Sequence, residues 1–78
     1  MYTGHKKRPP EGFGERLKEI YLKSGYSLRD VEKNTGIGSS NFYYYIRGDV
    51  APTIINLAIL CKFFNVSADY LLFGKKVG

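Results

Sequence analysis

Apolar residues recur along this chain at the three- and four-residue intervals of helices that bury one face, and nowhere show the sustained period of two that a half-buried strand requires. From Glu11 onward, Phe13, Leu17, Ile20 and Tyr21 form one such face, while Glu11, Glu15 and Glu19 fall four apart on another, and the helix is expected to end near Ser24-Gly25. Ser27 is a favourable N-cap, and Asp30, three residues on, can complete a capping box as a shorter stand-in for glutamate. This second helix is brief, because Thr35-Gly36 stops it with a residue suited to the left-handed closing conformation. The chain restarts at Gly38-Ser39-Ser40, with Phe42, Tyr45 and Ile46 as the inner face of a third helix that ends at Gly48. Pro52 suits a helix entrance, and a fourth helix is predicted from about Thr53 to Asn65, with Ile54, Leu57, Leu60, Cys61 and Phe64 on its core stripe. Ser67 caps a short fifth helix, Ala68–Phe73, closed by Gly74. The predicted fold class is all-α, with five helices, no strand and no internal repeat.

A length of 78 residues leaves room for one domain with one modest core. The expected division is a flexible basic arm over 1–10, a folded unit over 11–74 and a basic tail over 75–78. No apolar run is long enough to cross a bilayer, and the Pro-Pro pair after Arg8 stands where a signal peptide would need an apolar stretch, so no membrane association and a cytoplasmic location are expected. Cys61 is the only cysteine and His5 the only histidine, which rules out an internal disulfide framework and any zinc ligand set. No metal, cofactor or small-molecule ligand is implied.

The formal net charge of +5 is unevenly placed. Lys6, Lys7 and Arg8 at one end and Lys75 and Lys76 at the other hold the whole excess, since seven basic and seven acidic side chains cancel between them. Such tails would attract a polyanion by phosphate neutralisation and counterion release; they would equally serve as solubilising ends.

Two short helices joined by a glycine-containing turn make a helix-turn-helix. From Phe13 to Gly74 the chain resembles the Cro and lambda-repressor type of domain, the XRE-like family. The resemblance is carried by Gly36, Ile37 and Gly38 at the turn, Gly48 twelve residues past it, Pro52 four further on, and the closing Val66-Ser67-Ala68-Asp69-Tyr70-Leu71-Leu72 segment. It implies a five-helix, lambda-repressor-like DNA-binding bundle. Two departures from the family pattern bear on how the helices pack. Tyr21 and Ile46 stand where relatives often carry a buried arginine–glutamate pair, a joint exchange that leaves no stranded charge. Glu32 stands where a small alanine usually lets the second and third helices approach.

A helix fits the major groove, where base edges present a distinguishable donor and acceptor pattern. With Phe42, Tyr45 and Ile46 inward, the outer face of the third helix is Ser39, Ser40, Asn41, Tyr43, Tyr44 and Arg47. The resemblance places base contacts at Ser39, Ser40, Tyr43 and Tyr44. Serine hydroxyls and the Asn41 amide can address several bases, and a tyrosine can offer its ring to a thymine methyl or its hydroxyl to phosphate. Tyr45 is read as structural, at least one of Tyr43 and Tyr44 as functional, and Ser39 as a contact that could instead be only a cap. Arg47 and Arg29 are candidate phosphate clamps, with surface solvation the alternative for Arg29. Leu28 replaces a glutamine that binds phosphate in relatives, and the Lys6-Lys7-Arg8 arm could compensate along the backbone or in the minor groove. The acidic row of the first helix is expected to face away from nucleic acid.

The fourth helix is apolar on a second face as well, through Ile55, Ile59 and Phe63. An exposed patch of that kind marks an interface, and a homodimer is expected through Ile55, Ile59 and Phe63, joined by Leu72 or Phe73, unless the arm or the C-terminal residues cover the row. A symmetric dimer suits a palindromic operator with half-sites roughly 34 Å apart. The leading expectation is therefore a non-enzymatic transcriptional regulator that binds double-stranded DNA, a repressor of phage or bacterial type. The alternative is an antitoxin-type or other protein-interaction module using the same apolar row. No nucleophile–base pair or phosphate-cradling loop supports catalysis, and Cys61 reads as a core filler.

Overall fold

Short-range side-chain chemistry sets most of the helix boundaries. The computed structural model describes residues 8–75, in which the helices are α1 (Phe13–Ser24), α2 (Leu28–Thr35), α3 (Ser39–Arg47), α4 (Ile54–Phe64) and α5 (Ala68–Phe73). No strand occurs among the described residues. The predicted capping box is formed: Ser27 Oγ accepts the Asp30 N–H at 3.1 Å, and the Asp30 carboxylate accepts the Ser27 N–H at 3.0 Å. Those bonds, the backbone one foremost, hold the Asp30 carboxyl below the usual carboxylate range. Thr53 and Ser67 cap α4 and α5 in the same way, accepting from Asn56 at 3.1 Å and Tyr70 at 3.0 Å. α1 starts two residues later than its acidic spacing suggests, because Gly12 is left-handed (φ 86°) and Phe13 donates to the Pro10 carbonyl at 3.1 Å, making a turn of Pro10–Gly12.

The core draws on all five helices: Phe13 and Leu17 of α1, Val31 of α2, Phe42 and Tyr45 of α3, Leu60 of α4 and Leu71 of α5 are buried, with Ile37 of the turn. Phe42 lies at its centre, edge-on to Tyr21 at 5.3 Å and stacked with Phe64 at 6.2 Å. Tyr21 and Ile46 are half-buried and pack on this cluster, so apolar contact holds the two helices together at these positions.

Two contacts fix α3 on the rest, and a third ties α1 to α5. Gly14 is buried where α1 meets the end of α3, and a Cβ there would stand 2.7 Å from the Gly48 nitrogen and 2.9 Å from the Ile46 carbonyl oxygen. Tyr45 Oη accepts an N–H from the Asn56 side chain at 3.0 Å, linking α3 to α4. Arg16 Nε donates to the Leu71 carbonyl at 3.0 Å and a terminal nitrogen donates to the Glu11 carbonyl at 3.3 Å, which fastens α1 to the end of α5.

α4 departs from its predicted orientation. Ile54, expected on the core stripe, is 86% exposed, and Cys61 is only half-buried, although enough to push its thiol pKa up. Ile59 and Phe63, expected on the outer row, are half-buried against the core. The Phe63 ring lies 4.8 Å from Tyr26 and 4.8 Å from Phe64, so the loop between α1 and α2 covers this end of the row, while most of the arm and the C-terminal residues lie outside the described residues. A helix apolar on most sides gives periodicity no preferred face, and its neighbours decide which side turns inward. Among the described residues no helix is long and apolar enough to cross a membrane.

Candidate nucleic-acid interface

α3 separates its side chains sharply. Phe42 and Tyr45 are buried, whereas Ser40, Asn41, Tyr43, Tyr44 and Arg47 are exposed and Ser39 is half-exposed at the helix start. Tyr43 and Tyr44, at 48% and 45% exposure, project two neighbouring phenols with ring centroids 6.2 Å apart. The surface therefore offers hydroxyls, a carboxamide and aromatic edges on a helix whose other side is locked in the core, the combination that can address base edges.

Ser39 is engaged from an unanticipated direction. Gly38, the N-cap of α3, has no side chain with which to satisfy the first amides, and Glu32 of α2 supplies the acceptor instead. Its Oε1 accepts the Ser39 N–H at 3.3 Å and the Ser39 hydroxyl at 2.5 Å. The residue that seemed too large for close helix approach thus reaches across the turn and joins its two helices.

Arg47 is likewise already partnered. Its Nε lies 3.1 Å from Asp49 Oδ2, and its guanidinium carbon is 5.6 Å from the centroid of the Tyr43 ring. About half of each charged side chain is open to solvent, so this pair is weak and the guanidinium can be redirected at small cost. Glu15 and Lys18 of α1 line one groove with Tyr43, Arg47 and Asp49, and Arg8, Pro10 and Glu11 line an adjoining one with Glu15 and Arg47. Of the acidic row of α1, expected to face away from nucleic acid, Glu15 borders the outer face of α3, because the Gly14 contact brings the start of α1 against the end of α3.

Arg29 is exposed at the start of α2 and Arg8 is exposed beside Arg47, while Lys6 and Lys7 lie outside the described residues. The groups that sequence reasoning missed are Glu32 as a cap, Asp49 as the partner of Arg47, and Arg16 as the tie to α5. A glutamate seven residues before a glycine-capped serine gives some signal for the first; the last spans 55 residues and left none. On the apolar side, Ile55 (72%) and Phe73 (60%) are exposed and Leu72 is half-buried, while Ile54, Leu57, Ala58, Cys61, Val66 and Ala68 line an apolar groove along α4. Among the described residues no group of three or more His, Cys, Asp or Glu side chains could hold a metal ion.

A helix-turn-helix family model matches residues 17–71, from the middle of α1 into α5. The chain is 39% identical over 59 residues to the HTH-type transcriptional regulator ImmR of Bacillus subtilis (strain 168), covering 76% of this chain and 46% of that protein. It spans about half the length of the curated relatives it matches. Among solved structures it resembles the P22 c2 repressor protein in complex with a synthetic operator, with a TM-score of 0.76 and 28% identity over 81% of this chain and 96% of that one. It also resembles the DNA-binding domain of BldD from S. venezulae, with a TM-score of 0.66 and 34% identity over 77% of this chain and 90% of that one. The fold, the turn between α2 and α3 and the family match over most of the folded residues agree: the chain belongs to the helix-turn-helix family.

Proposed function

We propose that this chain acts as a sequence-specific DNA-binding transcriptional regulator, a repressor of phage or bacterial type, that sets α3 in the major groove and works by occupying promoter DNA. The observation that carries the reading is the division of α3 into a locked side, Phe42 and Tyr45, and an open side, Ser40, Asn41, Tyr43 and Tyr44. The names of its relatives support it: one is an HTH-type transcriptional regulator, and a structural neighbour was solved with an operator. In this reading Ser39, Ser40, Asn41, Tyr43 and Tyr44 face bases, Arg47 leaves Asp49 for a phosphate, and Arg29 and the Lys6-Lys7-Arg8 arm hold the backbone. The protein has a binding role and no catalytic one, and works in the cytoplasm. Selection of bound sequences from random duplex DNA tests the proposal. Enrichment of a defined site at physiological ionic strength is expected, and equal affinity for all duplexes would overturn it.

A dimer on a palindromic operator belongs to the same proposal. Ile55 and Phe73, the most open members of the expected interface, are joined by Ile54, and an apolar area of this kind is stabilised when a second copy covers it. Their exposure equally suits an antitoxin-type module that binds another protein. Sedimentation of the purified chain distinguishes the two: self-association supports the dimer, and a monomer that co-purifies stably with a different chain supports the module.

A further inference from the structure

We infer that Glu32 is a positioning residue for DNA reading, which fixes the hydrogen-bonding polarity of Ser39 so that this serine recognises an amine-bearing base. The inference rests on the DNA-reading function proposed above and adds to it the chemical class of base that Ser39 takes. A serine hydroxyl has one proton to give and two lone pairs with which to accept, and a free hydroxyl rotates to suit either kind of partner. Here the proton is committed, since the Ser39 hydroxyl and the Ser39 backbone N–H both point at Glu32 Oε1. Only lone pairs remain for a ligand in front of the helix. In the major groove the donors are the exocyclic amines, N6 of adenine and N4 of cytosine, whereas guanine and thymine present acceptors at the corresponding positions. The carboxylate also suits its place, because a negative group at a helix N-terminus complements the partial positive charge of the unpaired amides. Gly38 has no side chain to perform the task, and Glu32 lies on the preceding helix, so the orientation of Ser39 is built in before DNA arrives.

The test begins with sites selected by the full chain and by its Ser39→Ala variant; the base pair whose preference the variant loses is the one that Ser39 faces. In that pair the exocyclic amine is then removed, adenine replaced by purine or cytosine by pyrimidin-2-one, and binding is titrated. Wild-type affinity should fall about fivefold, in keeping with removal of one hydrogen bond. Ser39→Ala should be indifferent to the removal. Glu32→Ala, whose hydroxyl is free to turn, should respond less than twofold, and Glu32→Gln, which keeps an acceptor oxygen, should restore most of the wild-type response. Circular dichroism and melting curves establish that every variant is folded. The inference is overturned if wild type tolerates loss of the amine, if loss of a guanine or thymine carbonyl oxygen matters in its place, if Ser39→Ala changes no position, or if Glu32→Ala behaves as wild type. In each of these the chain still selects a site; a wild type that selects nothing removes the DNA-reading function and this inference together.

Discussion

Gly14→Ala sets two effects of opposite sign against each other. In an open helix the change would help, because alanine is better than glycine in a helix interior by about 1 kcal/mol. At Gly14 the new methyl would meet the Gly48 nitrogen at 2.7 Å, the Ile46 carbonyl oxygen at 2.9 Å and the Gly48 Cα at 3.0 Å. All three are backbone atoms of the far end of α3 and its cap, which cannot swing aside as a lysine tip could. Overpacking costs about 1–3 kcal/mol and occasionally more, and a rigid obstacle places this site in the upper part of that range. The net expectation is a destabilisation of about 1–2 kcal/mol, which in a domain of this size lowers Tm by about 5–15 °C. α1 and α3 must also separate, so affinity for a selected DNA site should fall even at temperatures where the variant is folded. Thermal melting followed by circular dichroism, with a binding titration well below Tm, provides both readouts. An unchanged or raised Tm would refute the reasoning, because it would mean that the α1–α3 approach has slack that these backbone distances deny.

Asp49→Asn releases the Arg47 guanidinium from its only close carboxylate among the described residues and should tighten DNA binding, whereas Arg47→Ala should flatten the salt dependence by about 0.9 log unit for the phosphate lost; an unchanged slope in Arg47→Ala would remove Arg47 from the backbone-binding set. Deleting residues 1–8 should flatten the same slope by about 0.9 log unit for each phosphate the arm neutralises, and no change would exclude the arm. Ile55→Asp should leave Tm within a few degrees, since the side chain is 72% exposed, while shifting sedimentation from dimer to monomer; a wild type that is monomeric at high concentration defeats the interface. Arg16→Met removes two bonds from a charged donor to main-chain carbonyls and should cost about 1.5 kcal/mol in denaturant unfolding, with no loss meaning that α5 docks by apolar packing alone. The Asp30 carboxyl, whose pKa is depressed by capping Ser27, stabilises the fold above its unfolded pKa and loses that effect as pH falls through the folded one. The Tm gap between wild type and Asp30→Ala should therefore be widest near neutrality and narrow in strong acid; a gap independent of pH would contradict the linkage.

Sequence and structure agree best where the determinant is local. The Ser27–Asp30 box, the Thr35-Gly36 stop and the Ser67 cap act over three or four residues, so pattern alone locates α2 and α5. The buried and open sides of α3 were legible for a related reason, because Phe42 and Tyr45 lie on one stripe while Ser40, Tyr43 and Tyr44 lie off it. α4 was not, since Ile54, Ile55, Ile59 and Phe63 are alike in hydrophobicity, and only Tyr26 and the core choose among them. Within the interface, outward position was readable and bonding state was not: Glu32 accepts a hydrogen bond from the Ser39 hydroxyl and Asp49 pairs with Arg47 through geometry that spacing does not encode.

The hydrogen bond from Asn56 to the Tyr45 phenol clamps the rear of α3 to the rod that also bears Ile55, so reading helix and exposed isoleucine form parts of one lever. Two copies joined through that rod would hold their α3 helices at a fixed separation and tilt, and the gap between half-sites would be measured by the protein instead of being accommodated by a flexible hinge.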